Sequence, residues 1–321
     1  FGPVPSELPV LSTTPGRRHA NWELVDRARD AAVSAGLAEV MTWSFIDPDA
    51  DAMVDDLALC PGPAIELGNP LSATQSTMRR SLFPSLLTAV RDNLNQGERS
   101  IAIYEQGRVF FLADGAPAEG ERLSVALVGT RVGNEQAVDF TDLKGVVDDV
   151  TDRLGFDRTT WQRGGAPWLD EAQGAVLTVT DGRVVGCAGL VSDAVAKKWE
   201  IKVPVYLAEL DLAAAAAEIE LQEFVELPRF PAVSADMTIE HPETLSYLEL
   251  TEAVSELVGE LVEEIELQAR FAGKNLRPGV VRTTLRLTYR AGDRSLTQDE
   301  VNEQQEALRD GLTGRLGVNF A

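Results

Sequence analysis

Between residues 21 and 36 the apolar positions Leu24, Ala28, Ala31 and Ala32 recur at helical spacing and stop at Gly36, which predicts an amphipathic helix with a glycine end. Residues 140–155 repeat that period through Leu143, Val146, Val147, Val150 and Leu154. Between and after them the pattern changes. The segments SIAIYEQGRVFFL, RLSVALVG, AVLTVTDGRVVGCAGLV and VPVYLAELDL are rich in β-branched and aromatic residues and read as strands. Asp181-Gly182 is the expected two-residue hairpin turn of the third. Strands outnumber helices here, so the expectation is an antiparallel sheet flanked by helices.

The C-terminal hundred residues carry a sharper pattern. DMTIE reads as a strand, and Ser246-x-x-Glu249 follows as a capping box with Leu245 and Leu250 as its hydrophobic staple. Leu250, Val254, Leu257 and Val258 run down one face of that helix. VEEIELQARF alternates, with Ile265, Leu267, Ala269 and Phe271 expected on one side of a strand. VRTTLRLTYR alternates too: Arg282, Thr284, Arg286, Thr288 and Arg290 share a face, while Val281, Leu285 and Leu287 partly break phase. Thr297-x-x-Glu300 is a second capping box, stapled by Leu296 and Val301, and its helix continues through Leu308 and Leu312 before GVNF closes as a last strand. The order β-α-β-β-α-β is the ferredoxin-like arrangement. The predicted class is therefore α+β.

At 321 residues the chain is expected to form two domains. The Pro/Ser/Thr-rich opening reads as a linker over residues 1–16. EFVELPRFPAVSADM marks a second break, giving modules over 17–225 and 226–321. A start at Phe1, inside such a tail, reads as a fragment of a longer polypeptide. Hydrophobic residues at 44% and charged residues at 25% exclude disordered and collagen-like sequence, and no apolar run is long enough to cross a bilayer. Cys60 and Cys187 lie far apart with no CxxC, which fits a reducing cytosol, and His19 and His241 are too few for a histidine metal site. A net charge of −22 ordinarily counts against a nucleic-acid partner, although the bases comprise 24 Arg against 5 Lys.

One segment departs from that average. Arg270, Lys274, Arg277, Arg282, Arg286, Arg290 and Arg294 stand against Asp293 alone between residues 270 and 294. On an open sheet face these bases would bind a nucleic-acid backbone. The alternative is a solvated face balanced by Glu263, Glu264 and Glu266. Arg294, just before the second capped helix, adds a possible phosphate site at the helix N-terminus, with an ordinary Asx turn as the competing explanation.

Longer motifs bear on the choice. NPLSATQSTMRRSLFPSLLTAVRDNLNQG (69–97), IYEQGRVF (103–110), DFTDLKGVVDDV (139–150), YLAELDL (206–212), RFPAVSADM (229–237) and DRSLTQDEVN (293–302) resemble, in order and spacing, the beta subunit of bacterial phenylalanine–tRNA ligase. The resemblance implies a class II synthetase-like module without catalysis, then a ferredoxin-like anticodon-binding domain. It further implies a catalytic alpha subunit and tRNA(Phe) as partners, an alpha2-beta2 assembly and a cytoplasmic location. ATP, Mg²⁺ and phenylalanine would belong to the whole enzyme, with no cofactor held by this segment. The family's acidic magnesium cluster would precede Phe1.

The 69–97 stretch resembles a dimerisation segment, which makes Arg79, Leu82, Phe83 and Leu86 the expected subunit interface, with core packing as the alternative. No residue is expected to be catalytic. IYEQGRVF lacks the Arg-x-Glu that would hold an ATP α-phosphate, so Glu105 and Arg108 read as members of a buried or interface ion pair. Asp148 and Asp149 are adjacent on a helix and point apart, and a Ser–His–Asp set lacks its histidine.

Three positions depart from the family pattern: Ala235 replaces an Arg, Asp170-Glu171 a His-Pro, and Ser192-Asp193 the end of Gly-x-x-His-Pro. Two other classes stay open: a regulatory or protein-interaction module whose ferredoxin-like domain binds a ligand, and a free-standing enzyme.

Overall fold

The alternation of apolar residues along four long segments builds the central sheet of the first of two compact units, Phe1–Gln222 and Glu223–Ala321. In the computed structural model the described residues are 22–54, 59, 62–131, 133, 135–156, 159–164, 167–216, 227–273 and 276–321. The predicted linker, the 225/226 boundary, His19, Cys60 and Lys274 lie outside them.

Among the described residues unit 1 has ten strands: β1 (Ala38–Glu39), β2 (Phe45–Ile46), β3 (Ile65–Glu66), β4 (Thr77–Met78), β5 (Ile101–Ala113), β6 (Ala116–Val128), β7 (Thr160–Arg163), β8 (Leu169–Thr178), β9 (Val184–Val191) and β10 (Val205–Asp211). Seven form one sheet in the order β1-β5-β6-β10-β9-β8-β7, parallel only at β1–β5, and β2-β4-β3 form a small second sheet. Helices α1 (Trp22–Ser34), α4 (Phe140–Leu154) and α6 (Leu212–Ala216) cover one face, with Leu24, Ala28, Leu143, Val147 and Val150 packed on Leu123 and Val125. The other face takes α3 (Phe83–Asn95) and α5 (Asp193–Lys198), where Phe83, Leu86 and Val90 meet Ile103, Ala126 and Leu207. A short helix α2 (Pro48–Asp51) follows β2. Both sides of the sheet are therefore filled by the chain's own apolar residues. The β8–β9 turn is one residue longer than predicted: Val179 and Arg183 pair, leaving Thr180-Asp181-Gly182 as the loop, with Gly182 at φ +82°. That left-handed position is what the glycine supplies.

Unit 2 follows the predicted order: β11 (Val233–Pro242), α7 (Tyr247–Leu257), β12 (Val262–Phe271), β13 (Val280–Tyr289), α8 (Gln298–Leu316) and β14 (Asn319–Phe320). The sheet order β12-β13-β11-β14 is the ferredoxin-like one. Both capping boxes form, Ser246 with Glu249 and Thr297 with Glu300. Leu250, Val254, Val301, Leu308 and Leu312 pack on Leu285, Leu287 and Tyr289, so both helices lie on one sheet face. Along β13 every odd position from Val281 to Tyr289 is buried, and the predicted break in phase does not occur. Thr283 is buried with the others and bonds His241 Nε2 at 2.8 Å.

Candidate nucleic-acid interface

Strict alternation along β13 leaves Arg282, Thr284, Arg286 and Thr288 on the face that the helices do not cover. Their cross-strand partners on β11 are Glu240, Thr238, Asp236 and Ser234. Directly opposed residues share a face, so each arginine meets a carboxylate. Arg286 holds Asp236 with two hydrogen bonds of 2.7 and 2.9 Å, which keeps the Asp236 carboxyl below its ordinary range. Arg282 reaches Glu240 at 3.1 Å, and Arg277 approaches the same carboxylate at 3.7 Å. Arg290 bonds Glu263 at 2.9 Å and donates to the Phe230 carbonyl.

Arg294 pairs with Glu300 at 2.6 Å, and that carboxyl, also accepting from Thr297, is held at about 2. The α8 N-terminus thus already holds a carboxylate, and a phosphate would have to displace it. Arg270 is exposed and has no ion pair among the described residues. The expected cationic platform is accordingly a salt-bridged face. The sequence segment 270–294 contains one acid, but β11 and β12 bring Asp236, Glu240, Glu263, Glu264 and Glu266 beside it. Ala235 lies opposite Leu287 on the covered face, so an arginine there would point toward the helices rather than toward this surface.

In unit 1 the motif residues are spent on internal ion pairs. Arg79 donates to Glu105 at 2.7 Å and to the Arg108 carbonyl at 3.0 Å, with both charged groups buried, and Thr42 donates to the same carboxylate. Glu105 therefore does not pair with Arg108, which instead reaches Glu119 and Glu121 on β6 and is exposed. Gly107 is required by this packing: a Cβ there would lie 2.5 Å from the Arg79 guanidinium. Arg80 is buried against Asp51 at 2.7 Å. In YLAELDL, Glu209 and Asp211 flank buried Arg122, at 4.0 and 2.5 Å. Glu209 also accepts from Ser81 Oγ and the Leu82 amide, and burial raises its carboxyl above the ordinary value.

A cavity of about 430 Å³ opens beside this network, lined in part by Arg29, Arg79 and Arg108. Each of the three guanidiniums already has a carboxylate partner, Arg29 through Glu39. Its residues do not fit a nucleotide triphosphate, which needs cations left over for its own charge. Among the described residues no group of three or more His, Cys, Asp or Glu is placed to hold a metal ion.

Residues 4–212 match the phenylalanyl tRNA synthetase beta chain CLM domain, and residues 228–320 match the ferredoxin-fold anticodon binding domain. The chain belongs to the phenylalanyl-tRNA synthetase beta-chain family. Similar relatives include the phenylalanine–tRNA ligase beta subunits of Symbiobacterium thermophilum, 34% identical over 97% of this chain, and of Moorella thermoacetica, 33% identical over 100% of it. The alignments span 36% and 41% of those subunits, so this chain covers about two-fifths of their length. Among solved structures, a pyrrolysyl tRNA synthetase of Desulfitobacterium hafniense superposes with a TM-score of 0.49 at 19% identity, over 62% of this chain and 68% of that one.

For this beta-chain segment the structure corrects the expected interface. Leu82, Phe83 and Leu86 are fully buried in the chain's own core, with Phe83 stacked on Trp168 at 4.1 Å between ring centroids. Arg79 is buried with Glu105. Apolar burial within one chain satisfies these side chains, so they have no surface to offer a partner. Sequence reading passed over the residues that do: Met41, Trp43 and Phe45 are exposed at alternate positions of an extended segment, Met41 and Trp43 at 88% and 76%. Their alternation with Thr42, Ser44 and Ile46 was the available signal.

Proposed function

We propose that this chain is the non-catalytic C-terminal portion of a phenylalanine–tRNA ligase beta subunit, supporting a catalytic alpha subunit and taking tRNA(Phe) on its ferredoxin-fold unit. The observation that carries this reading is the four-stranded sheet of unit 2, covered by helices on one side only, within a segment matching an anticodon-binding domain. The fully paired guanidiniums beside Glu105 support the non-catalytic part. In this reading ATP, Mg²⁺, phenylalanine and the chemistry of aminoacylation belong to the alpha subunit, within a cytoplasmic alpha2-beta2 assembly. No helix among the described residues is long and apolar enough to cross a membrane.

The alpha-facing surface is assigned to Met41, Trp43 and Phe45, because the relatives are named as subunits and these are exposed apolar side chains outside the core clusters of the described residues. The test is co-expression with a phenylalanine-specific alpha subunit. The complex should co-purify, bind tRNA(Phe) and catalyse ATP–pyrophosphate exchange, while the chain alone should give none. Exchange by the chain alone, or a complex that ignores tRNA(Phe), would refute the proposal.

A further inference from the structure

We propose that Asp114-Gly115, the two-residue loop between β5 and β6, is a covalent modification site at which the main chain converts to an isoaspartyl linkage. The chemistry needs only these two residues and water. The Gly115 amide nitrogen attacks the side-chain carboxyl carbon of Asp114. A C–N bond forms, a C–O bond breaks, and the amide proton leaves with the carboxyl oxygen as water. Water then opens the resulting succinimide. Opening at the side-chain carbonyl restores aspartate, whereas opening at the main-chain carbonyl leaves the chain running through Cβ with a free α-carboxylate. Nothing is oxidised or reduced. Glycine leaves the nitrogen open to attack because it carries no Cβ.

The sequence contains three Asp-Gly bonds, and their surroundings separate them. At Asp181-Gly182 the carboxylate accepts from the Arg183 amide at 2.8 Å and from the Arg183 guanidinium at 3.3 Å. The Gly182 amide donates to the Val179 carbonyl at 2.8 Å, so electrophile and nucleophile are both tied down. Gly311, after Asp310, lies inside α8, where its amide is spent on the helix ladder, and a Cβ there would meet Leu257 at 3.0 Å. At Asp114-Gly115 neither group is held. Among the described residues the Asp114 carboxylate has no hydrogen bond or ion pair, and the Gly115 amide has no acceptor. Both residues are exposed, and a Cβ built on Gly115 would meet nothing within 4 Å. Backbone strain acts in the same direction. Asp114 has φ +51° and Gly115 φ +78°, the left-handed pair of a type I′ turn. A side chain at Asp114 adopts that region at a cost, which the extra main-chain carbon of the β-linkage relieves.

The experiment ages the full chain at neutral pH in heavy-oxygen water and maps its peptides by electron-transfer fragmentation, which separates isoaspartate from aspartate. A carboxyl methyltransferase that uses S-adenosylmethionine and accepts isoaspartyl α-carboxylates supplies a second readout. Isoaspartate carrying a solvent oxygen should accumulate at Asp114 several times faster than at Asp181 or Asp310. In urea, where only local sequence acts, the three bonds should react at similar rates. Asp114→Glu, whose attack would have to close a larger ring, should remove this product and most of the methyl acceptance. Equal rates at the three bonds of the folded chain, or faster reaction at Asp181 or Asp310, would overturn the proposal. Product at Asp114 in urea but not in the folded chain would show that the turn protects the bond, and would overturn it too. Isoaspartate at Asp114 without solvent oxygen would exclude the succinimide and with it the proposed step.

Discussion

Arg79 and Arg80 are sequence neighbours whose side chains enter separate buried ion pairs, with Glu105 and Asp51. Two charges taken out of water recover their desolvation cost only together, so removing one partner is far more costly than replacing both. Glu105→Ala should destabilise unit 1 by about 3–5 kcal/mol, because it leaves the Arg79 guanidinium buried and uncompensated. The double variant Arg79→Met/Glu105→Leu should recover most of that loss. Denaturant unfolding of the two variants measures the difference, and equal destabilisation would mean that the pair is not coupled. The sequence contained a trace of this arrangement in Glu105-x-Gly107. The identity of the partner came only from tertiary packing, because 26 residues separate Arg79 from Glu105.

Capping boxes are the elements that sequence placed most securely, because a Ser or Thr three residues before a Glu satisfies the same amides wherever the helix docks. At the start of α8, Glu300 accepts from Arg294 and Thr297, and its carboxyl sits at about 2, below its ordinary 4.5. The unfolded chain therefore binds more protons between those values, so this contribution to stability is present above pH 4.5 and lost as pH falls toward 2. Thermal melting at pH 5, 3.5 and 2.5 should show unit 2 losing stability on acidification, and Glu300→Gln should lose less over the same interval. An identical decline in the variant would show that other carboxylates account for it. Strand β12 failed at the same scale, since no residue in VEEIELQARF announces the bulge between Leu267 and Ala269. Its position is set by register against β13. Helix α3 failed differently: an apolar stripe looks the same whether it packs on its own sheet or on a partner, and here Phe83, Leu86 and Leu87 pack on their own sheet.

Across the whole molecule, net charge and local charge have different consequences. At −22 the chain repels RNA at a distance, so any tRNA affinity comes from contacts within a Debye length, about 8 Å at physiological ionic strength. The paired variant Arg277→Gln/Arg282→Gln should weaken tRNA(Phe) binding and flatten its salt dependence by about one to two counterions, since these guanidiniums share a single principal carboxylate. Arg286→Gln/Arg290→Gln should change the slope little, because those two arginines already neutralise Asp236 and Glu263. Titrations of the alpha–beta complex at two or more salt concentrations distinguish the pairs, and equal slopes for both would refute the polarity of the face.

The sequence by itself determined the α+β class, the order of elements in unit 2, its caps and the two-residue spacing that puts Arg282 and Arg286 on one side of β13, because these depend on neighbours within a few residues. Tertiary structure decided what those arginines face, which of Leu82, Phe83 and Trp43 meets water, and on which side Phe271 emerges. Each of those depends on a strand or helix far away in the chain. A charge's partner, a side chain's burial and a bulge's position are all set by pairing across space, which local periodicity does not encode.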